Sequence, residues 1–444
     1  MGTLASLLLA KGHKVSGSDL KESDLIAGLR KNGAKVIIGH DASNVKGPDV
    51  VVYSSAVRVN NPEMIEAVSR NILLLKRAQV LAQLVNEQVG ITIAGAHGKT
   101  TTTSMISYLL INAGLKPTTA VGGIINNGPS YNANLGAGKY FVAEVDESDG
   151  TFLYFQPQYS IITNIDFEHV DFYKDWDGIL GAYAKFIQSA APSGAVIICG
   201  EDERLRALSA AAMSKVVTYG FNPAFDVYAE SIVSEGFQSS FSCFSHGRKL
   251  GDFRLHVPGR HNILNALACI SLGLQLEIPI EIIDQTLTHF NGVKRRFQLK
   301  GHVDGIMVID DYGHHPTEIL ATLKAARSMN LKRIVTVFQP HRYSRTKFLL
   351  DEFVSSLNLT DELVLTDIYA AAERVTEGVP TKVLLEKLQS SLGSRVVYQK
   401  KEDIINHLRG RLQPGDLVLF LGAGDIYHLG DELVKILEEK KVGV

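Results

Sequence analysis

One stretch constrains the fold of this chain more than any other: residues 90–110, which read GITIAGAHGKTTTTSMISYLL. Ile91 to Ala94 form a short apolar run rich in β-branched residues, which predicts a buried strand. Residues 101–110 carry apolar side chains at helical spacing, so a helix is predicted directly after the glycines. A strand that enters a helix through a glycine-rich turn presents free backbone N–H groups and the positive end of the helix dipole, which together favour a bound phosphate.

The turn also supplies the side chains that a nucleotide phosphate requires. Glycine lets the backbone approach a polyphosphate closely, Lys99 adds a positive charge for the outer phosphates, and the Thr100 hydroxyl suits a Mg²⁺ ion. Ile93 stands where the standard phosphate-loop pattern has its first glycine, so an ordinary tight turn with a surface lysine stays open as the alternative. The predicted ATP-binding residues of this turn are Gly95, Ala96, His97, Gly98, Lys99, Thr100 and Thr101.

Predicted strands and helices alternate along nearly the whole chain of 444 residues, which indicates an α/β protein with mostly parallel sheets. The pattern divides into a Rossmann-like domain over 1–88, a central domain with the phosphate loop over 89–292, and a second Rossmann-like domain over 293–444. The first domain starts with the helix that should follow its first strand, without the glycine loop that such a fold uses for pyrophosphate. We therefore expect the native chain to begin upstream of Met1, by roughly one strand and one loop.

The composition excludes several kinds of partner. A net charge of −2 gives no overall attraction to nucleic acid or to an anionic membrane, and no apolar run is long enough to span a bilayer. The three cysteines stand apart, without a C-x-x-C pair, which fits a reducing compartment and argues against a disulfide framework or a zinc site. We therefore predict a cytoplasmic protein that binds neither nucleic acid nor membrane.

Two acidic clusters follow predicted strands of the central domain. Ligands of parallel sheets bind outside the carboxyl ends of the strands, and carboxylate, imidazole and threonine oxygen around phosphates suit Mg²⁺. A single acidic cluster is more often a solvated loop, but two of them in a domain with a phosphate loop favour function. The clusters follow the strands predicted at 140–144 and 160–164 and comprise Glu144, Asp146, Glu147, Asp149, Asp166, Glu168, His169 and Asp171.

Two further stretches each allow a structural and a functional interpretation. In PGRHNILNALA, His261, Asn262 and Asn265 either cap a helix or contact a nucleotide, and the two interpretations are about even. In GVKRRFQ, adjacent arginines usually lie on the surface, yet Arg295 and Arg296 at a domain junction are well placed to neutralise a γ-phosphate.

Titratable and cationic side chains cluster after two predicted strands of the last domain. VIDDYGHHPTE ends a strand with Asp310 and Asp311, turns at a glycine, and opens a helix at Pro316. FQPHRYSRT repeats this arrangement after the next strand. Histidine and arginine at neighbouring strand ends indicate recognition of carboxylate and phosphate groups. The side chains concerned are His314, His315, His341, Arg342 and Arg345.

Eight stretches together resemble the Mur ligases of peptidoglycan synthesis, and within that family the ligases that add L-alanine to UDP-N-acetylmuramate. They span nearly the whole chain, and their combination is highly specific. Family members begin with a strand and a G-x-G-G-x-G-M loop, of which this chain retains only the final methionine. The matching stretches are GAHGKTTTT, VAEVDESDGTF, TNIDFEHVDFY, GRHNILNALA, GVKRRF, DDYGHHPTE, PHRYSRT and GAGDI.

The resemblance implies that ATP, with Mg²⁺, phosphorylates the lactyl carboxylate of UDP-N-acetylmuramate and that the amine of L-alanine attacks the acyl phosphate. The catalytic residues it implies are Lys99, His169, Arg296 and His314. The metal ligands it implies are Thr100, Glu144 and His169. Beyond the turn, it places ATP at His261, Asn262, Asn265, Arg296 and Asp311. It places the uridine near Ser18, Asp19, Ser54 and Ser55, and the amino acid and acyl phosphate near His314, His315, Arg342 and Arg345.

Three other functions share parts of this pattern. A tripeptide-recycling Mur ligase acts on the same sugar nucleotide but typically lacks PHRYSR, and a polyglutamate-type ligase acting on folate shares the architecture without the DDYGHHPTE and PHRYSRT pair. A regulator that binds ATP through the phosphate loop, without ligase activity, would need only the central domain. For the assembly, the expectation is a monomer or a weak homodimer.

Overall fold

The computed structural model describes residues 1–126, 133–168, 172–371, 373–374 and 378–442. Contacts divide the chain into a first unit of residues 1–230, 242–253 and 264–289 and a second unit of residues 231–241, 254–263 and 290–444. The predicted boundary at residue 88 lies inside the first unit, and the three sets of domain bounds stay predictions. None of the described helices combines the length and apolarity that crossing a bilayer requires.

The N-terminal part of the first unit alternates helices with short strands. β1 pairs with β2 and β3 with β4, and both pairs are parallel. Two of its helices begin at residues suited to a helix start, because the side chain of Ser23 accepts from the N–H of Ile26 and Asn61 precedes a proline at the first helical position. The elements are α1 (Gly2–Ala10), β1 (Ser16–Asp19), α2 (Asp24–Lys31), β2 (Lys35–Ile38), β3 (Val50–Tyr53), α3 (Pro62–Ser69), β4 (Leu73–Lys76) and α4 (Arg77–Asn86).

A ten-stranded sheet carries the phosphate loop. It begins with β5 (Val89–Ala94), which is buried and lies between two parallel neighbours, β8 and β9. The strand order is β14-β13-β12-β11-β10-β9-β5-β8-β6-β7. Further elements are α5 (Lys99–Asn112), β6 (Thr118–Ala120), β7 (Ala133–Asn134), β8 (Tyr140–Glu144), β9 (Tyr159–Ile162), α6 (Trp176–Gln188), β10 (Ala195–Cys199), α7 (Glu203–Leu208), β11 (Lys215–Gly220), β12 (Val227–Glu235), β13 (Gln238–Ser245), β14 (Arg248–Leu255), α8 (Arg260–Gln275) and α9 (Ile280–His289).

The second unit is built on a six-stranded sheet in the order β15-β16-β20-β17-β18-β19. All its pairings are parallel except that of the edge strand β15 with β16. Apolar clusters pack on both faces, as a doubly wound sheet requires. The elements are β15 (Gln298–Val303), β16 (Ile306–Asp311), α10 (Pro316–Arg327), β17 (Arg333–Phe338), α11 (Tyr343–Phe348), α12 (Leu350–Ser356), β18 (Glu362–Leu365), α13 (Thr381–Leu392), β19 (Val396–Tyr398), α14 (Ile404–Arg409), β20 (Asp416–Leu421) and α15 (Tyr427–Val442).

The predicted α/β class with mostly parallel sheets is confirmed. The strand predicted at 140–144 has those bounds, whereas the one predicted at 160–164 ends at Ile162. It ends early because Thr163 and Asn164 turn toward the phosphate loop, where both side chains donate hydrogen bonds to the backbone carbonyl of His97. The end of β9 is therefore part of the candidate site.

Candidate active site

The phosphate loop between β5 and α5 requires its two glycines. Gly95 and Gly98 have φ of +127° and +82°, a region in which side chains are strained. A Cβ on Gly95 would collide with the Thr163 hydroxyl, and one on Gly98 would lie 2.7 Å from the side-chain oxygen of Asn265. Asn265 also accepts from the hydroxyl of Thr102 at 3.1 Å. The predicted ATP-binding Asn265 is thus packed directly against the loop.

Lys99 lies at the first position of α5, with its ammonium held inside the loop. It donates to the backbone carbonyls of Gly95 and Ala96 and to both oxygens of Glu147, at 2.9 and 3.0 Å. Burial alone would lower the pKa of Lys99, but the carboxylates of Glu147, Asp146 and Glu144 outweigh it and raise that pKa above its ordinary value. Lys99 is therefore a permanent, buried cation. The acidic cluster contained Glu147, but nothing in the sequence identified it as the partner of Lys99.

Thr100 and Glu144 lie together, as the resemblance implies for metal ligands. The Thr100 hydroxyl donates to one oxygen of Glu144 at 3.0 Å, and the other oxygen accepts from the N–H of Gly122 at 2.9 Å. A hydroxyl and a carboxylate side by side at a helix N-terminus are the hard oxygen donors that Mg²⁺ prefers. The third predicted ligand, His169, lies outside the described residues.

The loop has two further neighbours, Asn164, which the sequence did not identify, and Asp166, which belongs to the second predicted acidic cluster. The N–H of His97 donates to the Asn164 side chain at 2.9 Å, and the N–H of Ala96 donates to the Asn164 carbonyl at 3.1 Å. The His97 ring contacts the Asp166 carboxylate at 2.8 Å. Asn164 is the last residue of the strand predicted at 160–164, and a polar amide at a strand end was the available signal.

His261 and Asn262 open α8, within the second unit. The side-chain amide of Asn262 donates to the Pro258 carbonyl at 2.7 Å, so this residue stabilises the start of its own helix. Burial, aided by the positive charge of Arg296, lowers the pKa of His261 to about 4, so the ring is neutral at physiological pH.

Asp311 ends β16 and is buried. Its carboxylate accepts from the N–H groups of Phe297 and Gly313, both at 2.7 Å, and from the Thr322 hydroxyl at 3.2 Å. Burial raises its pKa. Asp311 thus holds the turn that carries the two histidines, whereas the resemblance assigned it to the ribose.

The two histidines begin α10 in the capping arrangement that H-x-x-E signals. His315 is the N-cap, and the Glu318 carboxylate accepts from the backbone N–H groups of both His314 and His315, at 3.1 and 3.4 Å. Glu318 also lies 3.5 Å from the Arg296 guanidinium. The sequence contained this spacing, but Glu318 was not identified as a site residue.

Arg342, which follows β17, is held by a further carboxylate that the sequence did not identify, Glu373. Arg342 has φ of +73° and donates to Glu373 at 2.7 Å, and the N–H and hydroxyl of Ser344 donate to the same carboxylate. Arg345 lies 3.2 Å from the His341 ring. Burial, followed by His314 and the two arginines, lowers the pKa of His341 to about 3, so this ring is neutral.

The residues predicted near a uridine lie at the ends of β1 and β3. The Ser18 hydroxyl donates to Glu63 at 2.7 Å and contacts His40 at 2.9 Å, and Asp19 accepts from the N–H of Leu20. Ser54 and Ser55 form part of the turn after β3. The predicted site residues are thus divided between the first unit (loop, metal and uridine residues, and Asn265) and the second unit (His261, Asn262, Arg296, Asp311 and the His–Arg stretches).

The chain matches known family models and is similar to known proteins along nearly its whole length. Three models match: "Mur ligase family, catalytic domain" over residues 1–89, "Mur ligase middle domain" over 93–273, and "Mur ligase, glutamate ligase domain" over 295–424. The chain is 45% identical to the UDP-N-acetylmuramate–L-alanine ligase of Trichlorobacter lovleyi over 440 residues, which are 98% of this chain and 96% of the relative.

Solved structures of ligases also match nearly the whole chain. A UDP-N-acetylmuramate–alanine ligase from Thermotoga maritima matches with a TM-score of 0.85 and 30% identity, over 99% of this chain and 97% of that one. A murein peptide ligase from Psychrobacter arcticus matches with a TM-score of 0.74 and 25% identity, over 98% and 96% of the two chains.

Proposed function

The chain belongs to the Mur ligase family, and from this premise we propose that it is an ATP-dependent ligase that joins L-alanine to the lactyl carboxylate of UDP-N-acetylmuramate in peptidoglycan precursor synthesis. The observation that carries the proposal is the 45% identity, over 98% of the chain, to a ligase of that name. Both nucleotide substrates are cytoplasmic compounds, so a cytoplasmic location is part of the proposal.

The chemistry explains why such an enzyme needs ATP. A carboxylate is a poor acyl donor, so transfer of the γ-phosphoryl group to the lactyl carboxylate creates an acyl phosphate with a good leaving group. The amine of L-alanine then attacks the acyl carbon, the C–N bond forms, and the C–O bond to phosphate breaks. The acyl phosphate has to be kept from water until the amine arrives.

In this proposal the phosphate loop holds the nucleotide phosphates. The N–H groups at the start of α5 face the phosphate oxygens, and Lys99 contacts the β- and γ-phosphates. Because its ammonium has three N–H donors and these already meet the carbonyls of Gly95 and Ala96 and the carboxylate of Glu147, Lys99 must exchange at least one partner to donate to a phosphate. Glu147 is the partner whose negative charge opposes that of the phosphate.

Thr100 and Glu144 fit Mg²⁺, since a hydroxyl and a carboxylate oxygen lie 3.0 Å apart at the loop. They would hold the ion that accompanies ATP, which when bound neutralises charge on the phosphate oxygens. For His169, the assignment to a second Mg²⁺ rests on the resemblance alone.

The second unit supplies the remaining groups. Arg296 faces the γ-phosphate and stabilises its charge during transfer. The adenosine lies against residues of α8 and β16, and the alanine carboxylate and the acyl phosphate lie against the cations after β16 and β17. The residues of the second unit assigned to these roles are His261, Asn262, Asp311, His314, His315, Arg342 and Arg345, and Asn265 of the first unit is assigned to the adenosine with them. The uridine lies near Ser18, Asp19, Ser54 and Ser55.

The test is phosphate release by the purified chain with ATP, Mg²⁺ and UDP-N-acetylmuramate, with L-alanine present or omitted, and mass identification of the product. We expect release to need both substrates and the product to gain one alanine residue. Release that follows addition of the tripeptide L-alanyl-γ-D-glutamyl-meso-diaminopimelate, but not of alanine, would instead make the protein a peptide-recycling ligase.

A further inference from the structure

Arg295, the first arginine of GVKRRFQ, contacts two aromatic rings and two backbone carbonyls within the second unit. Its φ of +62° turns the backbone sharply. Its guanidinium carbon lies 4.8 Å from the ring centre of Tyr312 and 4.3 Å from that of Tyr427, and one terminal nitrogen donates to the carbonyls of Gly422 at 2.7 Å and Gly424 at 3.1 Å. The side chain thus ties the turn after β20 to the residue that follows β16, a set of contacts that we call the Arg295 clamp.

A buried carboxylate completes the Arg295 clamp. Asp310 is fully buried in β16, and its Oδ2 lies 3.6 Å from the Nε of Arg295. Neither of its oxygens accepts a hydrogen bond from any described residue. A buried charge needs an opposite charge nearby, and Arg295 supplies one for Asp310. Arg295 therefore bridges the carboxyl ends of two adjacent strands, β16 and β20, by charge, by ring stacking and by hydrogen bonds.

The Arg295 clamp also fixes the next residue along the chain. The Arg295 carbonyl accepts from the N–H of Tyr312 at 2.7 Å, and the guanidinium carbon of Arg296 lies 5.0 Å from the same Tyr312 ring. Arg296 further contacts Glu318 at 3.5 Å. The backbone of Arg295 is thus hydrogen-bonded to Tyr312, and both guanidinium groups lie beside the Tyr312 ring.

We propose that Arg295 is a positioning residue of the ligase reaction, which acts by fixing Arg296 through Tyr312 and the turn at Gly422–Gly424. The proposal rests on the proposed function, in which Arg296 faces the γ-phosphate. This role needs more than a positive charge, because the planar guanidinium of Arg295 contacts two carbonyls and two aromatic rings at once. Lysine in its place would keep the charge near Asp310 and lose the fork.

The test compares Arg295→Lys and Arg295→Met with a matched control, Arg327→Lys. Arg327 also bonds a carbonyl and a carboxylate, Leu359 and Asp361, and belongs to no part of the proposed site. We expect Arg295→Lys to lower kcat for alanine-dependent phosphate release about tenfold and Arg295→Met about a hundredfold, with KM for ATP changed less than threefold, because an interaction felt in the transition state affects kcat. Arg327→Lys should leave kcat unchanged even where it lowers the unfolding temperature.

The double variant Arg295→Lys/Arg296→Lys distinguishes an effect of Arg295 that acts through Arg296 from an independent effect of Arg295 on kcat. If Arg295 acts through Arg296, the double variant loses no more activity than Arg296→Lys alone. The positioning role would be overturned if the losses of the two single variants multiplied in the double variant. It would also be overturned if Arg295→Lys and Arg295→Met kept the wild-type kcat. Either result would leave the ligase assignment in place. Wild-type protein that releases no phosphate with any amino acid or peptide would overturn both.

Discussion

The phosphate loop and the Arg295 clamp hold buried charge in opposite ways. In the loop, the Lys99 ammonium meets two carbonyls and a bidentate carboxylate, so the charge of Glu147 is paired at hydrogen-bond distance. In the clamp, Asp310 stands 3.6 Å from Arg295 and accepts no hydrogen bond from the described residues. Burial of a charge costs free energy unless it is paired and hydrogen-bonded. Changes in the loop should therefore act mainly through its hydrogen-bonded ion pair, and changes in the clamp mainly through a carboxylate that has an ion pair but no hydrogen bond from the described residues.

The two regions also differ in how they are assembled. The loop is one continuous turn, and its main neighbours come from the ends of β8 and β9, which flank β5 in the sheet. The clamp gathers residues that lie more than a hundred positions apart, such as Arg295 and Gly422. A substitution in the loop should therefore act locally, whereas a substitution in the clamp should affect the ends of both strands that it connects.

The largest effect is expected when the loop loses its cation. Lys99→Met should lower the rate of alanine-dependent phosphate release by about 10²- to 10³-fold, since it removes a charge aimed at the transferring phosphoryl group. Lys215→Met is the matched control, because Lys215 is exposed and donates to the side-chain oxygen of Gln275 at 2.9 Å, away from the loop. Steady-state kinetics at saturating ATP give the comparison, and a loss below tenfold would contradict the role of Lys99.

The sequence predicted the loop far better than its partners. Ile91 to Thr101 form a local pattern of strand, glycines and helix, and such patterns depend on neighbouring residues only. Glu147 and Glu373 depend on contacts across the fold, and no spacing in the sequence links them to Lys99 or Arg342. Glu318 is different, because its three-residue spacing from His315 is that of a capping box and is visible in the sequence itself.

Contacts between distant segments are also missing from the sequence-based prediction of GVKRRFQ and VIDDYGHHPTE. The sequence places Arg295 and Arg296 side by side, and the resemblance gives a role to Arg296 alone. The positive φ of Arg295 sends it to the turn after β20, a contact between distant segments that adjacent identical residues cannot reveal. Asp310 and Asp311 likewise look alike in sequence, yet Asp311 accepts three hydrogen bonds and Asp310 accepts none from the described residues.

The next effect in size concerns the pair in the loop. Glu147→Ala leaves the Lys99 cation buried without its carboxylate, which should destabilise the protein by about 3 kcal/mol. The double variant Lys99→Met/Glu147→Ala removes both charges and should regain part of that loss. Thermal unfolding without nucleotide measures both, with Glu203→Ala as the control, since the Glu203 side chain is 89% exposed. Equal unfolding temperatures for Glu147→Ala and Glu203→Ala would show that the pair contributes nothing.

The smallest effect concerns Asp310, the clamp carboxylate that accepts no hydrogen bond from the described residues, and is measured through pH. Burial raises the pKa of Asp310 to about 7, although Arg295 opposes the shift. The native state therefore keeps a proton that the unfolded state has lost, so the contribution of Asp310 is present below its ordinary pKa and is lost as the pH rises to about 7 and beyond. Asp310→Asn abolishes this titration.

Relative to wild type, Asp310→Asn should consequently be more stable at pH 8 than at pH 5, by on the order of 1 kcal/mol. Thermal unfolding of both proteins across this pH range gives the result. The absolute stability of the variant is not the criterion, because an unpaired amide in the same buried position carries its own cost. Curves that stay parallel from pH 5 to pH 8 would mean that Asp310 is charged throughout, and that Arg295 at 3.6 Å pairs with it as effectively as Glu147 pairs with Lys99.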